Sequence, residues 1–253
     1  MTILRSLYMA ISTYSRFPVP SLSFKPKDMR YTMIFFPLVG IIIGMMEYVW
    51  MSWSVRLSSE LVRALIAAAI PLLTAGSIHL DGFVDTCDAL ACLKGRESKL
   101  SIMKDPHIGG GALAGALVYY FFFLSSLCMI RGERAIVAFA LSFFLSRIMS
   151  AIGVVSFKSA KREGMLFAFS DSAQKKAVRF ALYLEFIACA LFMLTNLLET
   201  GFFVLIANTG FMYLYIKRCM KELGGVTGDT QGFFLIVSEG LSAAVIAVTF
   251  AFR

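Results

Sequence analysis

Three aspartates, Asp81, Asp85 and Asp88, stand at i, i+4 and i+7 in the stretch His79-Leu80-Asp81-Gly82-Phe83-Val84-Asp85-Thr86-Cys87-Asp88. On a helix turning 100° per residue they fall within an arc of about 60°. Carboxylates stacked on one face repel each other unless a cation sits among them. An all-oxygen ligand set selects a hard divalent ion, Mg2+ or Mn2+. The aspartates follow a hydrophobic stretch, so they are expected at the C-terminal end of a membrane helix. The dipole there disfavours carboxylates and favours a cation. The arrangement is costly without metal and sensible with it; a solvated polar loop is the weaker reading.

Three further groups of residues have the chemistry of phosphate handling. Lys104-Asp105-Pro106-His107-Ile108-Gly109-Gly110-Gly111 precedes a hydrophobic stretch. Glycines there let backbone N–H groups approach phosphate oxygens at a helix N-terminus, although read alone this is also an ordinary glycine-rich start to a membrane helix. Gly224-Gly225-Val226-Thr227-Gly228-Asp229-Thr230-Gln231-Gly232 combines four glycines with one acid and two threonine hydroxyls, a candidate phosphate or metal loop. In Lys161-Arg162-Glu163-Gly164, Arg162 is a candidate phosphate clamp through its planar fork. His79 and His107 have no H-x-x-H partner and read as hydrogen-bonding groups rather than zinc ligands. The five cysteines form no C-x-x-C pair and read as buried or tolerated thiols.

The elements that must position these residues are membrane helices. Of 253 residues, 58% are apolar or aromatic and only 16% charged, with mean hydropathy +0.77; a soluble domain carries about a quarter charged. That excludes a soluble single-core domain, a disordered chain and a disulfide scaffold. Seven hydrophobic stretches, near 32–53, 61–79, 110–130, 134–157, 177–197, 200–216 and 232–252, are each close to the roughly 20 residues a span requires. The expected architecture is all-α: a polytopic integral membrane protein of about seven transmembrane helices, a single domain over 1–253. Asn208, Thr209 and Gly210 make the sixth stretch the weakest. Residues 1–30 read as an interfacial N-terminal segment, because Ile3, Leu7, Ile11 and Tyr14 share one helical face.

Numbering the loops alternately places 18 lysines and arginines on one side and five on the other, with Arg147 inside the fourth stretch. This bias puts the N-terminus and the three long loops in the cytoplasm, and the C-terminus outside. Asp81, Asp85, Asp88, Asp105, Glu163 and Asp229 all fall on that cytoplasmic side, so the candidate site faces one compartment. The net charge of +8 is first a topology signal, and it also favours anionic lipid and anionic substrates. No basic–aromatic module for nucleic acid is visible. Arg147, Glu185 and Glu239 lie at similar depth in their stretches and could meet in one polar layer, with Glu47 deeper.

The sequence resembles the cobalamin synthase family, the adenosylcobinamide-GDP ribazoletransferases. His79 to Asp88 is similar to that family's signature. Ser15-Arg16-Phe17-Pro18-Val19-Pro20, Phe36-Pro37-Leu38-Val39-Gly40, Ile102-Met103-Lys104-Asp105, Leu145-Ser146-Arg147, Arg162-Glu163-Gly164 and Gly224 to Asp229 resemble its other motifs, in order. Ala89 and Ala112 stand where the family usually has glycine. The resemblance implies a Mg2+-dependent transferase of the prokaryotic cytoplasmic (inner) membrane; the hydrophobic stretches make it multi-pass and the charge bias puts its N-terminus in the cytoplasm. A hydroxyl of α-ribazole, or of its 5′-phosphate, attacks the cobinamide-bearing phosphate of adenosylcobinamide-GDP. GMP leaves and adenosylcobalamin or its 5′-phosphate forms, the last step of the nucleotide-loop pathway. By that resemblance Asp81, Asp85 and Asp88 hold metal and Asp229 is a second-metal ligand or base. Lys104, Asp105, Arg147, Arg162, Gly225, Thr227 and Gly228 would contact the substrate or its phosphates. Membrane lipid surrounds such a protein, and a homo-oligomer or a complex with other enzymes of the pathway is left open.

Two other functions share parts of this pattern. A CDP-alcohol phosphotransferase of phospholipid synthesis also groups aspartates at a helix end, but its D-G-x-x-A-R element is absent: Asp81-Gly82 is followed by Phe83-Val84-Asp85-Thr86. A transporter could use the aspartates as a binding site, but no inverted repeat is visible.

Overall fold

The computed structural model describes residues 2–20, 23 and 25–251. Among these the chain is helical, with one isolated bridge, Ser159 to Val226, and no strand. Helix α1 (Thr2–Tyr14) is short and amphipathic: Ser6, Met9 and Ala10 are buried while Ile3 and Leu4 are exposed. Asp28 fastens it to the bundle. Arg5 Nε donates to the Asp28 carboxylate at 3.0 Å, and Ser6 Oγ donates to its backbone carbonyl at 2.5 Å. Asp28 belongs to a 3-10 turn, Pro26–Tyr31, that leads into α2 (Thr32–Trp53).

Helix α3 (Glu60–Ala75) starts at Ser59, whose hydroxyl accepts from Val62 N–H at 3.3 Å. It stops at Gly76, where φ is +76°, a left-handed conformation that glycine adopts without steric cost. The backbone N–H of Arg16 donates to the freed Thr74 carbonyl at 2.7 Å. The chain then turns by 103° into α4 (Ile78–Ala91). The aspartates therefore do not prolong the second hydrophobic stretch, as the sequence led us to expect. They occupy a helix of their own, and Asp81 lies in its first turn, where the dipole favours an acid.

The remaining helices are α5 (Arg96–Ile102), α6 (Gly110–Met129), α7 (Glu133–Ser156), α8 (Met165–Ser172), α9 (Lys175–Asn196), α10 (Leu198–Glu222) and α11 (Gly228–Ala251). Among the described residues the seven hydrophobic stretches lie in helices, the second interrupted at Gly76 and Ser77. Five helical segments among the described residues are long and apolar enough to cross a membrane alone: those of α2, α6, α7, α9 and α11. The bent pair α3–α4 makes up to six. The 25-residue α10 falls short of that standard because Glu199, Asn208, Thr209 and Gly210 dilute it. Its polar interruption has a packing role: Asn208 is buried, receives Ser238 Oγ at 2.5 Å and donates to Ser242 Oγ at 2.8 Å. Such side-chain bonds tie membrane helices together.

Helix α7 is central and mostly buried, whereas α6 and α9 are mostly exposed and form the periphery. Phe139, Phe143, Leu145 and Ile148 of α7 pack with Ile43, Leu127 and Phe234 in the main core. Arg253, counted among the external cations, lies outside the described residues.

Candidate active site

The site forms where α4 meets the start of α11. Gly82 lies against the backbone of Asp229, so close that a Cβ there would sit 2.7 Å from its carbonyl oxygen; one at Gly232 would sit 2.7 Å from the carbonyl oxygen of His79. The two glycines are the seam that lets the helices touch backbone to backbone. Threonines fix the turn before the seam. Thr227 Oγ1 accepts from Thr230 N–H at 3.1 Å, and Thr230 Oγ1 accepts from Thr227 N–H at 2.9 Å. Tyr215 of α10 donates its hydroxyl to the same Thr230 oxygen at 3.0 Å.

The seam brings acids together. Asp85 feels the repulsion of Asp229, Asp81 and Asp88, and the attraction of Lys161. Lys161 Nζ lies 3.8 Å from Asp229 Oδ2, and Thr227 Oγ1 lies 3.4 Å from the same oxygen. Lys161 is placed by the bridge between the two loops: Val226 N–H donates to the Lys158 carbonyl at 2.9 Å and Ala160 N–H to the Val226 carbonyl at 2.8 Å. Gly225 packs against this segment's backbone, so its role is to seat the loop carrying Lys161.

Asp88 has a different position from its two neighbours. Its carboxylate accepts from Gly109 N–H at 2.6 Å and from Ala112 N–H at 2.8 Å. It caps the N-terminus of α6, satisfying donors that a helix start leaves free. The glycine-rich start of α6 thus receives a carboxylate of the protein rather than a phosphate. Among the described residues no three histidine, cysteine or acidic side chains converge as a ready-made metal site.

Beside Asp229 opens a cavity of about 330 Å³. Its polar wall holds Lys161, Glu163, Thr227, Gly228, Asp229 and Gln231; its apolar wall holds Tyr14, Met33, Phe36, Val154, Leu166 and Phe169, with His79 between them. The arrangement can bind a molecule with an anionic end and an apolar body, and it places an acid and an ammonium together at the polar end.

A model of the family described as cobalamin-5-phosphate synthase matches residues 6–247. The chain belongs to this family. Curated relatives named adenosylcobinamide-GDP ribazoletransferase align over nearly the whole chain. The protein of Lachnoclostridium phytofermentans is 32% identical over 251 residues, covering 98% of this chain and 95% of its own. That of Desulfitobacterium hafniense is 30% identical over 246 residues, covering 94% and 95%. That of Clostridium botulinum strain Alaska E43 is 26% identical over 256 residues, covering 96% and 98%. No solved structure matches the chain.

In this member of the cobalamin-5-phosphate synthase family, the remaining motif residues fall into distinct places. Lys104 pairs with Glu163 at 2.7 Å on the cavity rim, and that ammonium holds the glutamate carboxyl below its ordinary range. Asp105 receives the backbone N–H of His107 at 3.0 Å and lies 2.7 Å from its ring Nδ1; these bonds hold its carboxyl below the usual range. Arg162 is exposed and does not line the cavity. Arg147 is buried, with Nη1 2.7 Å from Glu239 and 2.9 Å from the Phe143 carbonyl, and it is not among the cavity-lining residues either. Glu47 is buried nearby and feels the charge of Glu239. Glu185 does not join them; one of its buried oxygens has no partner.

Sequence reasoning passed over Lys161 in favour of its neighbour Arg162. It also passed over Tyr14, Phe36 and Phe169. The apolar face of α1 was visible in Tyr14, but its place in a site was not.

Proposed function

We propose that the chain transfers the adenosylcobinamide phosphate from adenosylcobinamide-GDP to α-ribazole or its 5′-phosphate, releasing GMP, as the last step of cobalamin synthesis. The observation that carries this is the cavity's polar end, where Asp229 and Lys161 meet beneath the acidic face of α4 in a chain matched end to end by ribazoletransferases. The acceptor hydroxyl forms a bond to the cobinamide-bearing phosphorus, the bond from that phosphorus to the GMP oxygen breaks, and the hydroxyl proton passes to Asp229. Lys161 offsets charge on the phosphates. Asp88 positions α4 against α6.

The donor chemistry of Asp81 and Asp85 suits a hard divalent ion, although among the described residues no three acids converge as a ready-made site: both offer only oxygens, and Asp85 feels the repulsion of Asp81 and Asp229, which a cation would relieve. Bound there, Mg2+ would neutralise charge developing on the leaving phosphate. With α10 counted, the helices make seven crossings from a cytoplasmic N-terminus in the prokaryotic cytoplasmic membrane. The cavity is lined from the helix ends that adjoin the basic loops, which supports a cytoplasmic site.

The detergent-solubilised protein should release GMP only when both substrates are supplied. Chelation of divalent ions should stop release and Mg2+ should restore it. No GMP release would refute the transfer; undiminished release after chelation would refute the metal.

A further inference from the structure

We propose that the apolar end of the cavity is the binding site for the heteroaromatic base of the acceptor, with His79 bonding its single free ring nitrogen. This rests on the ribazoletransferase reading and adds which substrate, and which part of it, enters. A cavity of about 330 Å³ is at the small end of those that enclose a drug-sized molecule. It has room for one nucleoside, and a corrin macrocycle must stay outside.

The inner end is an aromatic enclosure. The Tyr14 ring lies parallel to His79, centroids 6.0 Å apart at 6°, and tilted against Phe36 at 4.4 Å and Phe169 at 6.0 Å. Phe36 is 3% and Phe169 1% exposed, whereas the side chains of Lys161 and Asp229 are 17% and 30% exposed. A flat base therefore goes inward and the ribose hydroxyls face the polar mouth.

His79 and Gln231 both line this cavity, and the Nε2 of each is buried without a hydrogen-bond partner. Gln231 already receives Ser150 Oγ on its other amide atom at 3.1 Å. Buried polar groups are almost always paired, so two such side chains lining one cavity point to a ligand. Its polar atoms must be few. Guanine presents donors and acceptors along several edges and would strand most of them against Met33, Phe36 and Phe169. The dimethylbenzimidazole of ribazole has apolar edges and one unsubstituted nitrogen. His79 meets that nitrogen, and Gln231 is left for a ribose hydroxyl.

The test uses the full chain in detergent with saturating adenosylcobinamide-GDP and two acceptors: α-ribazole, and its analogue in which the free ring nitrogen is replaced by CH. Wild type should prefer α-ribazole by about tenfold in kcat/KM, the worth of one hydrogen bond. In His79→Phe, which keeps the ring stacked on Tyr14, the preference should collapse to about unity. The ratio is internal to each variant, so partial loss of folded protein cancels. Phe169→Leu should raise KM for α-ribazole several-fold and leave that for adenosylcobinamide-GDP unchanged. A preference that survives in His79→Phe, or is absent from wild type, overturns the assignment. A rise in KM for adenosylcobinamide-GDP alone in Phe169→Leu also overturns it and gives the enclosure to guanine. Wild type that releases no GMP with either acceptor refutes instead the reading on which the assignment rests.

Discussion

Replacing Gly82 by alanine puts a methyl group in place of a hydrogen at the seam between α4 and α11. The new Cβ would lie 2.7 Å from the Asp229 carbonyl oxygen and 2.8 Å from its Cα. Non-bonded carbon contacts relax at about 3.5–4.0 Å, so the helices must part by on the order of 1 Å. Both contacts are backbone, and no side chain can swing aside to absorb the change. Overpacking of this kind costs about 1–3 kcal/mol, which a bundle of this size can bear. Catalysis is more sensitive: a misplacement of about 1 Å can cost about 10²-fold in rate, and here it falls between the acids of α4 and Asp229. Gly82→Ala should therefore accumulate in the membrane yet lose on the order of 10² in GMP release per molecule. Gly232→Ala, 2.7 Å from the His79 carbonyl, opens the same seam and should behave alike. Gly110→Ala is the control, because nothing lies within 4 Å of its added carbon. Gly82→Ala with wild-type turnover would refute the claim that the seam sets the active geometry.

Asp85→Asn and Asp229→Asn should each lower turnover by at least about 10² with little change in thermal stability. Asp88→Ala should by contrast lower the melting temperature, because loss of a helix cap costs about 0.5–2 kcal/mol; an unchanged melting curve would remove its capping role. Lys161→Ala should reduce kcat/KM on the order of 10² while Arg162→Ala stays near wild type, and the reverse order of effects would move the phosphate contact to Arg162. Arg147→Met should fail to accumulate, since an unpaired buried Glu239 costs about 3–5 kcal/mol, and Arg147→Met with Glu239→Gln should recover abundance on immunoblots. Failure of the double variant to recover would mean that Arg147 does more than neutralise Glu239.

What the sequence made legible was spacing within an element; what it hid was contact between elements. The arc of Asp81, Asp85 and Asp88 needs only a helix under it, and α4 supplies one. That α4 is separate from α3 turns on Gly76, in a run whose hydropathy continues across the break, and on Arg16, some sixty positions away, closing the Thr74 carbonyl. An arginine inside a span announces a partner because an unpaired one is costly. Choosing Glu239 over Glu185 required knowing that α7 and α11 are neighbours in the core while α9 is peripheral. Lys161 and Arg162 are chemically near-equivalent on paper and adjacent in the chain; the Ser159–Val226 bridge points the first at Asp229 and leaves the second in solvent. Tyr14, Phe36 and Phe169 obey the same periodicity as core residues, so nothing local distinguishes an aromatic that fills a core from one that walls a cavity. Asp88 shows the limit most sharply. Its place in the acidic arc is a short-range fact, its capping of Gly109 and Ala112 a long-range one, and only the second separates it from the acids that remain free to act.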